Sequence, residues 1–110
     1  MKLVNIKHRA ETVSFREAVL QGLGREQGLF FPERFETLDD VPGLLQAPFV
    51  ERSSAVLAHL VGNELDAATI RRMVASAFDF PIACPLLDNG ERALELFHGP
   101  SLAFKDFGAR

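Results

Sequence analysis

Hydrophobic and polar positions change period several times along the 110-residue chain, and each change predicts an element. Residues 2–7 alternate, with Leu3 and Asn5 on one face and Val4 and Ile6 on the other. That two-residue period predicts a short strand. From Ser14 the period lengthens: Phe15, Ala18, Val19, Gly22 and Leu23 fall on one helical stripe. Ser14 and Glu17 have the spacing of a capping box, which satisfies free backbone N–H groups at a helix start. Gly22 and Gly24 favour a stop, because glycine takes the left-handed turn without steric cost. A short apolar run, Gly28 to Pro32, follows.

Asp39, Asp40, Pro42 and Gly43 mark a turn or the start of a helix. From Pro48 the helical period returns, with Phe49, Val56 and Leu60 on one side and Val50, Leu57 and Val61 beside them; Gly62 and Asn63 close it. Asp66 is placed to cap a third helix with a stripe of Ile70, Met73, Val74, Ala77 and Phe78. Pro81 blocks its continuation. Pro85–Leu87 and Ala93–Phe97 then flank Asp88-Asn89-Gly90-Glu91. Asn-Gly predicts a β-hairpin, since both positions tolerate positive φ. The fold class expected is α+β: about three helices, short strands and a hairpin.

Composition changes this picture little. Apolar residues make up 47% and charged residues 25%, ordinary values for a globular domain with a modest core. A net charge of −3 offers no general attraction for nucleic acid. The single cysteine, Cys84, cannot form an intramolecular disulfide and reads as a small packed residue. The N-terminus lacks the apolar run of a signal peptide or membrane span. A reduced, cytoplasmic setting is the expectation, with no nucleic-acid or membrane partner. His8, His59 and His98 have no metal-ligand spacing, so no metal site is expected.

The chemistry gathers in the last fifteen residues. Lys105 sits in an apolar run after the Gly99-Pro100 turn. Charged ammonium groups are rarely buried unpaired, so packing alone marks it as unusual. A desolvated lysine loses its proton more readily and becomes a nucleophile toward carbonyls. That is the chemistry of a Schiff-base lysine.

The run His98-Gly99-Pro100-Ser101-Leu102-Ala103-Phe104-Lys105-Asp106 resembles the pyridoxal-phosphate lysine motif of threonine synthases. Val13 to Leu23, Gly28 to Pro32 and the opening Met1-Lys2-Leu3-Val4-Asn5 resemble the start of the same family. The resemblance covers nearly the whole chain, most loosely over residues 33–47 and 84–92. It implies an enzyme that converts O-phospho-L-homoserine and water into L-threonine and phosphate. It also implies that Lys105 holds pyridoxal 5'-phosphate and is the chief acid/base. Phe104 packs either near the cofactor ring or in the core. His98 either approaches a cofactor or substrate phosphate or orders its loop. Ser101 stands where the family usually has threonine, and both carry a hydroxyl. Asp106 either orders backbone and caps a following helix or takes part in the chemistry, the capping role being the simpler.

Family members are several times longer, and no Gly-rich phosphate cradle occurs here. Residues 1–97 are therefore expected to be an N-terminal domain. Residues 98–110 would begin a catalytic domain of the fold type II, tryptophan-synthase-β-like kind, with a helix starting near Phe104. Such a piece is expected to be inactive alone, and its natural partner is the rest of its own catalytic domain. Apolar surface from Leu102 to Phe107 would then be uncovered and prone to self-association. The alternatives are a threonine-synthase-like phospholyase or another fold type II lyase, and a noncatalytic interaction module.

Overall fold

The expected N-terminal strand forms, and in the computed structural model it is the centre of a sheet. The structure describes residues 1–109. β1 (Lys2–Asn5) pairs antiparallel with β2 (Thr12–Ser14) on one side and β3 (Phe30–Pro32) on the other. In register, Leu3 faces Val13 and Pro32, while Val4 faces Thr12 and Phe31. The apolar run ending at Pro32 is thus an edge strand, where a missing N–H costs no ladder bond. Leu3 and Asn5 turn inward and are buried, while Ile6, on the more apolar face, is 52% exposed; the alternation gives the strand and not its buried face, which the hydrogen bonds of Asn5 decide.

The chain divides into two compact units, Met1–Ile70 and Arg71–Arg110. In the first unit, α1 (Phe15–Gln21) starts on the predicted capping box: the Glu17 N–H donates to Ser14 Oγ at 3.2 Å, and the Ser14 N–H donates to Glu17 Oε2 at 2.8 Å. Gly22, at φ +75°, ends it and donates its N–H to the Ala18 carbonyl. The predicted stripe is only partly buried: Phe15 and Ala18 are half-buried, whereas Val19 and Leu23 are exposed.

The described residues form four α-helices, where about three were expected. The Asp40-Pro42-Gly43 stretch is the start of α2 (Val41–Gln46). Asp40 Oδ1 accepts the Gly43 N–H at 2.9 Å, and Pro42 sits in the first turn, where its fixed φ suits a helix. α3 (Phe49–Val61) ends at Gly62, at φ +67°, and passes into a 3-10 turn, Gly62–Glu64. Val61 is fully buried. α4 (Ala67–Ala77) begins on the predicted Asp66 cap, whose carboxylate takes both the Thr69 N–H (2.9 Å) and the Thr69 hydroxyl (2.7 Å). Those bonds hold the Asp66 carboxyl below its ordinary range. Ile70 and Val74 are buried, while Met73 faces out of the predicted stripe.

Polar groups do much of the ordering in the first unit. The buried Asn5 amide donates to Glu11 Oε2 (2.6 Å) and to the Arg25 carbonyl (3.1 Å), and its Oδ1 accepts the Lys7 N–H (2.8 Å). Gly24 and Gly28 close around it, and a Cβ at either would run into the Asn5 side chain. The loop between them bends through two non-glycine residues at positive φ, Glu26 (+56°) and Gln27 (+59°). Glu11 also accepts the Arg25 N–H (3.0 Å), and these bonds, that from Asn5 foremost, lower its carboxyl pKa. At the other end of the unit, Glu64 accepts the Phe15 N–H (2.9 Å), the Arg16 N–H (3.1 Å) and the Met1 ammonium (3.0 Å). The two backbone donors, with the ammonium beside them, bring the Glu64 carboxyl down to about 2.

In the second unit the predicted hairpin forms. Ala83 bridges Glu95, Leu86 bridges Arg92, and the Ala93 N–H donates to the Pro85 carbonyl. Prolines 81 and 85 lack donors, and the ladder stays a pair of isolated bridges. The turn differs from the expected type. Gly90 alone takes positive φ (+84°), with the Gly90 N–H on the Leu87 carbonyl and the Leu87 N–H on the Glu91 carbonyl. That is the three-residue turn with a glycine bulge. Cys84, read as packed, is exposed.

Candidate active site: the lysine turn

The hairpin's second arm delivers the chain to His98. Glu95 is fixed by its own N–H on the Ala83 carbonyl (3.0 Å), and its Oε2 lies 2.5 Å from His98 Nε2. The Phe97 ring lies 4.6 Å from the imidazole, centroid to centroid. His98 is thus held from its own hairpin. The Glu95-His98 spacing of three is a signal of this contact legible in the sequence.

The next four residues turn sharply. The Leu102 N–H donates to the Gly99 carbonyl at 3.0 Å, and Leu102 takes φ +54°, an uncommon value for a branched side chain. Ala103 is extended, and the chain then makes a single 3-10 turn, Phe104–Phe107, at the place where a helix was expected to begin. The Lys105 carbonyl accepts the Gly108 and Ala109 N–H groups at 3.0 and 2.9 Å. Arg110 and any helix continuing beyond it lie outside the described residues.

Two side chains pin this turn. Asp106 is only 6% exposed, and its Oδ2 accepts the Ser101 N–H at 2.9 Å. It packs so closely on Gly99 that an added Cβ there would stand 2.5 Å from Oδ2 and 2.7 Å from the Asp106 Cβ. Phe107 joins Phe78 and Phe80 in an aromatic cluster, with centroid separations of 6.0, 5.3 and 6.2 Å. Such edge and tilted pairs are favourable beyond their area. Sequence reasoning placed Phe78 on a helix stripe, counted Phe107 in an uncovered apolar surface where the structure packs it against Phe78 and Phe80, and missed Phe80. Their packing needs a fold, and residues about thirty positions apart carry no local period.

Between these anchors, Lys105 projects outward. The apolar run around it does not bury it: Lys105 is exposed among the described residues. Phe104, expected in a core or against a ring, is 74% exposed, and Leu102 is 76% exposed. Ser101 is exposed, and its contribution to the turn is a backbone N–H rather than the hydroxyl. The structure therefore brings Gly99, Ser101 and Asp106 together, braces His98 separately, and leaves Lys105 and Phe104 facing solvent.

An exposed primary amine on a fixed turn fits the attachment chemistry of an aldehyde cofactor. Concavities of about 250 Å³ and 410 Å³ in the first unit are lined by residues such as Lys2, Phe35 and His59 or Val4, Phe31 and Arg9, and by none of the motif residues. No cluster of three His, Cys, Asp or Glu side chains suited to a metal occurs among the described residues. No helix among them is long and apolar enough to cross a membrane.

The fold and this turn define a class: a small mixed α/β module, with four helices and a three-stranded antiparallel sheet, that carries a lysine on a clamped turn. The family follows from comparison with known proteins. The chain belongs to the family described as "Threonine synthase N terminus", whose sequence model matches residues 4–78. It is 54% identical over 110 residues to the threonine synthase of Haemophilus influenzae, covering all of this chain and 26% of that protein. It is 45% identical over 112 residues to that of Escherichia coli K12, again over all of this chain and 26% of the relative. These alignments take in the lysine turn, which lies past the family model's match. Among solved structures, Escherichia coli threonine synthase superposes with a TM-score of 0.90 at 44% identity, over 98% of this chain and 26% of that one. A threonine synthase from Brucella melitensis described as PLP-bound superposes with a TM-score of 0.80 at 37% identity, over 96% and 24%. The chain spans about a quarter of the length of the curated relatives it matches.

Proposed function

We propose that this chain is the N-terminal part of a threonine synthase that converts O-phospho-L-homoserine and water into L-threonine and phosphate, with Lys105 as its cofactor lysine. The observation that carries the reading is an exposed amine held on a turn clamped at Asp106 and Phe107, within a chain that matches threonine synthases along its full length. When bound, pyridoxal 5'-phosphate supplies an electron sink for negative charge at the carbon next to the nitrogen it holds. Lys105 Nζ is the attachment point, and once released it moves protons at Cα and Cβ of the substrate. His98, braced by Glu95, and Ser101, through its backbone, order the loop. Phe104 faces the cofactor side.

The phosphate-binding and ring-binding groups belong to later sequence. Residues 98–110 are the start of the catalytic domain, and the piece alone is inactive. The exposure of Leu102 and Phe104 supports a surface normally covered by the rest of that domain. Left uncovered, it favours self-association. The parent enzyme is a cytoplasmic lyase of fold type II.

The test uses the complete parent polypeptide and its Lys105→Ala variant. Threonine formation from phosphohomoserine is expected in the parent and at least about a thousandfold less in the variant, the loss expected of a nucleophile and acid/base removed together. A keto acid product would instead assign a phospholyase. Full threonine output from Lys105→Ala would overturn the lysine's role.

A further inference from the structure

We propose that Asp106 is a positioning residue: its buried carboxylate, seated under Gly99 and bonded to the Ser101 N–H, closes residues 99–106 into a rigid ring that sets the direction of Lys105. The proposal rests on the assignment of Lys105 made above and adds how the amine is aimed.

Three observations carry it. First, Asp106 is one of only two buried polar or charged residues among those described, the other being the Asn5 hub. A buried carboxylate is costly unless it is well bonded, so it stays only where the surroundings hold it. Second, the ring closes twice. The Leu102 N–H reaches the Gly99 carbonyl and the Asp106 N–H reaches the Ala103 carbonyl at 3.2 Å, while Oδ2 ties the first turn to the second through Ser101. Third, Gly99 is buried against the carboxylate with no space for a methyl group, so the two residues fit as a pair. Leu102, at φ +54°, is a strained link in the same ring. Lys105 is covalently next to Asp106, so a shift of the carboxylate rotates the lysine's backbone directly. A charge-assisted bond to a main-chain N–H resists that shift better than a neutral one.

The test uses the complete parent polypeptide as wild type, Asp106→Ala, Asp106→Asn and Lys105→Ala. Hydrogen exchange at the Ser101 amide is followed without cofactor. Covalent attachment of pyridoxal phosphate is then trapped by borohydride and located by peptide mass. The wild-type Ser101 amide is expected to be protected. Asp106→Ala should speed its exchange at least about tenfold and lower attachment at Lys105 roughly tenfold to a hundredfold, the usual cost of losing orientation. Asp106→Asn, which keeps an acceptor oxygen, should stay within about fivefold of wild type. An unprotected Ser101 amide in the wild type overturns the clamp, and this measurement stands even if a variant fails to fold. Faster exchange with unchanged attachment overturns the positioning role, and an asparagine variant as poor as alanine overturns the acceptor account. Covalent uptake by Lys105→Ala at the wild-type level would defeat the lysine assignment instead, while Ser101 protection would still report on the clamp.

Discussion

Glu64 and Asp106 are both carboxylates that accept main-chain N–H groups, yet they sit in opposite kinds of structure. Glu64 reaches across the first unit to the start of a helix almost fifty residues earlier and takes three donors. Asp106 works within its own loop, taking the N–H five residues before it, and is much the more buried. The first arrangement locks elements that are distant in sequence, so it serves the fold. The second locks a few consecutive residues around one amine, so it serves direction. A local clamp can be precise without adding much to global stability, because it orders little chain. A long-range clamp stabilises the unit while telling nothing about where chemistry occurs.

The comparison can be broken at the first unit's centre. Asn5→Ala would leave the Lys7 N–H and the Arg25 carbonyl without their side-chain partner. A loss of about 3 kcal/mol in chemical denaturation is expected, since three part-buried hydrogen bonds of about 1 kcal/mol each are lost together. Ser101 amide exchange should be unchanged; a parallel rise would mean that the Asn5 hub and the lysine turn lose order together. The converse change is Gly99→Ala, which forces a methyl group onto the Asp106 carboxylate. It should cost about 2 kcal/mol, as overpacking does, and deprotect Ser101. Near-neutral stability with a protected Ser101 would show that the ring has room.

Acid sharpens the contrast. The Glu64 carboxyl is brought down from its ordinary 4.5 to about 2 in the folded protein. Its contribution is therefore fully present above pH 4.5 and is lost as pH falls from there toward 2. Glu64→Gln should lower the melting temperature at neutral pH and flatten its fall over that window. An unchanged acid limb would mean that Glu64 is not the group responsible. The smallest effect concerns strain. Gln27→Gly frees a residue held at φ +59° and should gain about 0.5 kcal/mol, the relief at positive φ outweighing glycine's entropy.

Legibility followed the same division. The caps at Ser14 and Asp66 and the stops at Gly22 and Gly62 were readable, because each satisfies its helix within four residues. So was the hairpin around Asn89-Gly90, though not its turn type, since Asn89 and Gly90 need not share positive φ. The pairing of β1 with β2 and β3 was not readable: β2 returns after an irregular six-residue loop with no turn signature, and β3 only after α1. The α2 start hid behind Pro42-Gly43, a pair that signals turns equally well. At the site, the position of Lys105 and its motif were plain. Its exposure, the burial of Asp106 and the part played by Phe107 depend on three-dimensional packing that adjacent residue types do not encode.

The salt bridge between the Met1 ammonium and Glu64 has a practical consequence. A purification tag fused directly ahead of Met1, or acetylation of its amine, would replace a cation by a neutral amide at the carboxylate that caps α1. Protein for biophysical work is better tagged elsewhere, so that the ammonium stays beside Glu64.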